Sequence, residues 1–510
     1  MTISHDGSVI QCYSTGTVSG ISSVVGLVGL NSGAVTQCYS TGAITGEDDV
    51  GGFVGFNAHD CHVSHCYSTG AVSGDSNVGG LVGSGWAENV TAYFWDIHTS
   101  DFPWDNSVGG TGKTTEDMHT ASTFLNAGWD FVDEAGNGTE DIWWILEGKD
   151  YPRLWWESRE SGPTTTTWEG SGTPDDPYQI STAVDLILLG DSPKDYDKHF
   201  ILTADIDLDT NLIGRLFFYG AVVAPDRINA TPQFDGTPFN GVFDGNGHTI
   251  LHLTINGSGH VGLFGCLSGE VMNLGVVDAN ITGSDNYVGG LVGSNSGNVT
   301  HCNSIGPVTG TGDFVGGLVG CNGGDVTNCY STGVVTGSGD FVGGLIGSNV
   351  YFYSGTGGIV TNCCSSSTVN GREDVGGLVG CNYYGYVTHC YSTGSVSGIS
   401  FVGGLAGSNL GTVSQCYSTG LIVGDQIFGG LVGIGSSGAV TDCCFWDIET
   451  SGQAISAGGT GKTTGKMQMA STFLDADWDF VDETENGTDD IWWIDEGQDY
   501  PRLWWENAEQ

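Results

Sequence analysis

The sequence predicts an all-β chain, a β-solenoid of coils near 27 residues arranged as two tandem modules, each ending in an aromatic-rich cap with a short helix. Three observations predict it. The clause Val-Gly-Gly-Leu-Val-Gly stands at 78–83, 288–293, 315–320 and 375–380, with near copies at 24–29, 50–55, 342–347, 402–407 and 428–433. A second clause, Cys-Tyr-Ser-Thr-Gly, stands at 12–16, 38–42, 66–70, 329–333, 390–394 and 416–420. An aromatic unit follows the coils twice, at 93–160 and almost verbatim at 445–510, and holds 13 of the 15 Trp.

Residues 1–92 read as a truncated solenoid of three coils, each built from three short β-branched strands between Gly, Asn, Ser and Asp turns. Residues 93–160 read as a cap that covers the last strand edge, with a helix near Thr115–Leu125 entered from a Thr cap with Glu116 and Asp117 in its first turn. Its aromatic faces also suit sugar binding. Residues 161–170 are a Ser/Gly/Pro/Thr linker. The segment 171–254 occurs once and reads as the solenoid start, covered by a short helix at Ala183–Leu189. Residues 255–444 hold about seven coils, a rod of about 35 Å at ~4.8 Å per strand, and 445–510 form the second cap. The first module lacks a start segment, so the chain reads as the downstream part of a longer product whose signal peptide lies upstream of Met1.

Composition narrows the function. Acidic residues number 59 against 12 basic, a net charge of −47. Nucleic acid needs a Lys/Arg surface and is excluded as a partner, as are anionic membranes. The charge fits an extracellular or cell-surface protein in a salty medium that screens self-repulsion. No apolar run is long enough for a membrane helix.

Cys12, Cys38, Cys66, Cys302, Cys329, Cys390 and Cys416 share one slot of the repeat, and Cys364 and Cys444 are assigned to it. Neighbours in stacked parallel strands have poor disulfide geometry, so this is a row of buried thiols. By period two, Tyr330, Thr332, Tyr391, Thr393, Tyr417 and Thr419 share the opposite face and form a candidate surface-binding ladder for a glycan or protein. Val-Thr-x-Cys breaks that alternation if Val is buried too, so a bend must intervene.

Other constellations are weaker. Asp49, Asp285, Asp313, Asp340, Asp374 and Asp425 precede most Val-Gly-Gly clauses and are the candidate weak Ca2+ ligands, although Asp is also an ordinary turn residue. His59-Asp60-Cys61-His62 with His65-Cys66 has zinc-like spacing, but Cys66 belongs to the repeat slot. Gly109–Thr115 and Gly458–Thr464 resemble a phosphate-binding loop, yet Ser107 and Ser456 stand where that loop needs its first Gly, so both read as turns into the cap helix.

The repeated Gly-Gly-Leu-Val-Gly resembles the GLUG motif of bacterial surface and secreted proteins, among them adhesins and IgA-specific metallopeptidases. The match recurs at ten positions from 24–29 to 428–433, including the short form Val261–Gly265. The resemblance implies a right-handed parallel β-helix and is unspecific for activity. The peptidases carry His-Glu-x-x-His, and none of the 12 His here precedes Glu. The expected function is therefore a non-enzymatic, adhesin-like or structural binding rod without a cofactor, unless Ca2+ is one. The rival is a polysaccharide lyase or hydrolase. Such enzymes pair carboxylates with Lys or Arg in a groove. Here Lys113, Lys149, Arg153, Lys462 and Arg502 fall in the caps, and Arg372 is the one basic residue between 255 and 444.

Overall fold

The computed structural model describes residues 2–507 apart from 4–6, 60, 87–89, 101–106, 132–136, 138–141, 146–149, 156–167, 191, 209–216, 219, 227–233, 351–356, 437–439 and 484–485. Asp60, Lys149 and most of the expected linker 161–170 lie outside the described residues. Residues 1–165 form one compact unit, and residues 166–211 with 215–510 form another.

The second unit is a parallel β-solenoid. Each coil supplies five short strands, not three, to sheets of ten, ten, eight, seven and six strands. One coil shows the pattern: Val315–Gly316, Val319–Asn322, Asp325–Thr327, Tyr330–Thr332 and Val334–Gly337. Two features cut the expected strands. The Gly-Gly pair turns the chain inside the first clause. A Cβ at Gly317 would collide with the Gly344 carbonyl of the next coil and sit 3.1 Å from the Ser331 Cβ, so only Gly fits there. The second cut falls between Val-Thr and Cys. Gln37, His65, His301, Asn328, Asn362, His389 and Gln415 all have φ between 49° and 57° there, a left-handed corner that reverses the alternation. Val326 and Cys329 can then both face inward, fully buried. This is the bend that Val-Thr-x-Cys requires.

Register follows the letters, with Val288, Val315, Val342, Val375 and Val402 in line on successive coils. It also corrects one assignment. Cys363, not Cys364, occupies the thiol row, because Val360-Thr361-Asn362 places the corner one residue before Cys363. Cys364 falls in the tyrosine slot, between Tyr330 and Tyr391. None of the cysteines is disulfide-bonded.

A second buried row was not anticipated. Asn295, Asn322, Asn349, Asn382 and Asn409 are fully buried, and each of the first four amides donates to the side-chain oxygen of the next at 2.8–3.0 Å. Each turn there needs a buried polar anchor, and a stacked amide supplies donor and acceptor together. Asn295 Oδ1, for example, also accepts the Gly297 N–H at 3.0 Å.

The start segment pairs Tyr178–Ile180 with His199–Leu202, which pairs with Val242–Asp244. The helix Ala183–Gly190 beside it is held at its N-terminus by the Thr182 hydroxyl, which accepts the Asp185 N–H at 3.2 Å. The first unit repeats the coil in short form. Val28–Asn31, Val54–Asn57 and Val82–Gly85 stack in register, with Asn31 donating to Asn57 at 2.8 Å.

Both aromatic units close the last coil with one edge. Thr111–Lys113 adds a parallel strand to Phe94–Asp96, as Thr460–Lys462 does to Phe445–Asp447. The Ser107 and Ser456 hydroxyls accept the Val82 and Val432 N–H at 3.0 and 2.9 Å. The expected helix 115–125 is two, Thr115–Met118 and Ala121–Leu125, parted where Thr120 is extended. The remainder of each unit lies along the flank of the coils, over the tyrosines.

Candidate functional site

The site grows out of that covered flank. Tyr330, Cys364, Tyr391, Tyr417 and Phe445 occupy one slot on successive coils. They point away from the lumen, and the Tyr391 and Tyr417 rings stack at 5.0 Å with 6° between planes. They do not form an open ladder. Tyr417 is buried beneath the cap, and its hydroxyl donates to the Pro501 carbonyl at 2.5 Å. Tyr391 is buried too, and its hydroxyl donates to Glu506 Oε2 at 2.8 Å. Thr419 is buried, Thr332 half-buried and Thr393 exposed, so no continuous Thr face exists either.

Where the row meets the cap there is a cleft of about 670 Å3. Tyr330, Cys364 and Tyr391 supply its coil wall, and Trp493, Tyr500 and Trp505 its cap wall. Asp495, Asp499, Arg502 and Glu506 supply the charges. Trp505 stacks on Tyr330 with ring centroids 6.1 Å apart, and its Nε1 donates to the Asn362 carbonyl at 3.2 Å.

The two inner carboxylates sit in different environments. Burial raises Glu506 above the ordinary carboxylate range, against the Leu503 N–H at 2.8 Å and the Tyr391 hydroxyl. For Asp499 burial acts the same way but loses. The Arg502 guanidinium at 2.7 Å and the Tyr500 N–H at 2.8 Å hold it below that range. Burial and the nearby Glu506 push the Cys364 thiol well up, so it is no nucleophile. Both oxygens of Glu506 and both of Asp499 already accept a hydrogen bond.

The six aspartates do not form one row. Asp313 and Asp340 stack, Asp313 Oδ1 accepting the Asp340 N–H at 2.8 Å, and Arg372 pairs with Asp340 at 2.6 Å. Asp49 and Asp374 are left-handed corner residues with φ 52° that accept the Ser84 and Ser408 hydroxyls. Asp285 accepts the Gly259 N–H at 3.0 Å, and Asp425 is exposed. Their sequence offsets from Val-Gly differ, so pairing sends them to three positions. Among the described residues no three His, Cys, Asp or Glu come together as metal ligands.

The zinc-like cluster disperses as well. Cys66 faces the lumen, while His65 packs edge-on against Trp129 at 6.0 Å and His59 against Trp86 at 5.1 Å. In the phosphate-loop lookalikes the Lys ammonium lies over an aromatic ring, Lys113 at 5.6 Å from Phe94 and Lys462 at 5.3 Å from Phe445. Burial pushes the ladder thiols of Cys302, Cys329, Cys390 and Cys444 well above the ordinary value.

Reading by motif missed Asp495, Asp499 and Glu506, since no spacing marks them. One signal was present: between Tyr330 and Tyr391 the Tyr slot of Cys-Tyr-Ser holds Cys364.

Comparison with known proteins places the repeat. The model of the GLUG motif matches residues 47–73, 315–336 and 371–397. Over 156 residues the chain is 36% identical to Halomucin of Haloquadratum walsbyi (strain DSM 16790 / HBSQ001). That stretch is 30% of this chain and only 2% of the relative. A crystal structure of a proposed immunoglobulin A1 protease from Bacteroides ovatus is similar at 22% identity and TM-score 0.41, covering 66% of this chain and 94% of that one.

Proposed function

We propose that this GLUG-motif repeat protein is a non-catalytic binding rod of a cell surface or secreted layer, adhesin-like, that takes a glycan or protein ligand. The observation that carries the reading is the state of Asp499 and Glu506, the two inner of the cleft's three carboxylates. All four oxygens of Asp499 and Glu506 are engaged by donors of the protein itself. Asp499 thereby occupies the cleft's one guanidinium, Arg502, which a lyase or hydrolase of an acidic polymer needs beside its base. The fixed letters of the repeat go into stacking, which leaves the variable letters for recognition. The net charge of −47 and the likeness to a protein named halomucin support an extracellular setting. Ca2+ gathers diffusely at the acidic surface in this reading, without an ordered site. The test is incubation of the full chain with a polysaccharide and surface-protein panel. Binding without new reducing ends or unsaturated products is expected, and product release would promote the lyase or hydrolase instead.

A further inference from the structure

The row of rings has one gap, and the cleft lies at it. Tyr391 and Tyr417 stack at 5.0 Å, but Cys364 leaves its coil without a ring. Tyr330 and Tyr391 are therefore two coils apart, about 9.6 Å at ~4.8 Å per strand, and Trp505, stacked on Tyr330 and bonded to the Asn362 carbonyl of the Cys364 coil, walls one side of the space between them. The Trp493 indole N–H beside it is buried without an acceptor, whereas its counterpart Trp144 donates to the Leu154 carbonyl at 3.0 Å.

We propose that the gap at Cys364 is a binding subsite for one unit of a neutral saccharide, lying against the Trp493 and Trp505 rings. The inference rests on the binding-rod reading and names its ligand class. Three carboxylates against one guanidinium repel a uronate. Asp499 is already paired with Arg502 at 2.7 Å, so an ammonium group finds one carboxylate fewer than the lining holds. What remains is a surface of aromatic faces and fixed polar groups. Both oxygens of Glu506 and Asp499 Oδ1 each accept one hydrogen bond and can take a second from a sugar hydroxyl, while Asp499 Oδ2 already accepts both Arg502 donors. The volume of about 670 Å3 is ordinary for a small-ligand site.

The experiment titrates the full chain by calorimetry with neutral oligosaccharides (cello-, malto- and N-acetylglucosamine oligomers), oligogalacturonate and cationic chitosan oligomers. At least one neutral series is expected to bind, about tenfold or more tighter than the uronate and chitosan series. Cys364→Tyr, which restores the ring, is expected to weaken that binding about tenfold or more. Trp493→Ala carries the same expectation if Cys364→Tyr does not fold, and Trp86→Ala, an exposed indole of the first unit, should change nothing. The proposal is overturned if no neutral series binds, if uronate or chitosan binds more tightly, or if both cleft variants bind as the parent does. Surface binding that persists while any of these outcomes overturns the subsite would leave the rod. Turnover, or no binding to any surface, would strike the rod reading itself.

Discussion

The first unit carries a tyrosine row without interruption: Tyr13, which is exposed, stacks on Tyr39 at 5.2 Å, and Tyr39 stacks on Tyr67 at 4.9 Å, the last two buried beneath the cap. The second unit carries the same row with Cys364 in the place of Tyr13. The anchors of the two caps are otherwise copies. Tyr67 and Tyr417 donate to Pro152 and Pro501, both at 2.5 Å. Trp129 and Trp478 donate to Ala92 and Cys443 carbonyls at 3.1 and 2.8 Å, and Tyr151 and Tyr500 to Asp96 and Asp447 at 2.6 and 2.7 Å. The difference teaches that the cap docks on the last two tyrosines, while the next slot is free to vary. Trp156 and Glu157, the counterparts of Trp505 and Glu506, lie outside the described residues.

The largest expected effect comes from the shared anchors. Trp129 and Trp478 are fully buried, so Trp129→Ala or Trp478→Ala should each cost about 3–5 kcal/mol. Calorimetry of the full chain should show each variant lowering only its own unit's transition; a common fall of both would break the two-unit comparison. The asparagine row comes next. Asn322 accepts from Asn295 and donates to Asn349 in mid-row, so Asn322→Ala strands buried groups on both sides, at about 1–3 kcal/mol each. Asn57 accepts from Asn31 and donates to the Trp86 carbonyl at the row's end, and Asn57→Ala should shift the denaturant midpoint less.

Acid sensitivity separates the units more finely. Burial raises Glu506 in the folded state above its unfolded value of about 4.5. The stability this contributes is complete below that value and is lost as pH rises through the folded pKa. Glu506→Gln should therefore raise the second unit's Tm at pH 7 and leave it nearly unchanged at pH 4. An equal gain at both would show that charge is not the cause. The smallest effect expected is that of chelation. Raising NaCl from about 0.01 to about 1 M shortens the screening length from ~30 to ~3 Å and should raise Tm in both units, while EDTA in low-calcium buffer should leave it in place. A clear drop with EDTA would restore an ordered Ca2+ site to the scattered aspartates.

Much of the fold is legible because repeat letters state their own register. Val315 lies over Val288 because each opens the same clause. The number of strands is not legible, because it depends on backbone angles at Gly-Gly and at the corner residue. Cys363 and Cys364 stand side by side, and only strand pairing tells which one enters the lumen. The burial of Tyr391 and Tyr417 is not legible in the repeat, because the residues that cover them lie far along the chain. Tyr417 meets Pro501 across 84 positions.

By itself the sequence determined the coil, its period, the stacking of its Val, Leu, Cys and Gly letters, and the twofold occurrence of an aromatic unit. Those are local and periodic properties, set by side-chain size and backbone freedom within one repeat. The tertiary structure alone decided that the aromatic unit lies along the tyrosine flank as well as over the last coil. It decided too that one missing ring, at Cys364, opens into a cleft walled by Trp493 and Trp505. A gap becomes a site only when a distant segment roofs it, and no repeat letter encodes the roof.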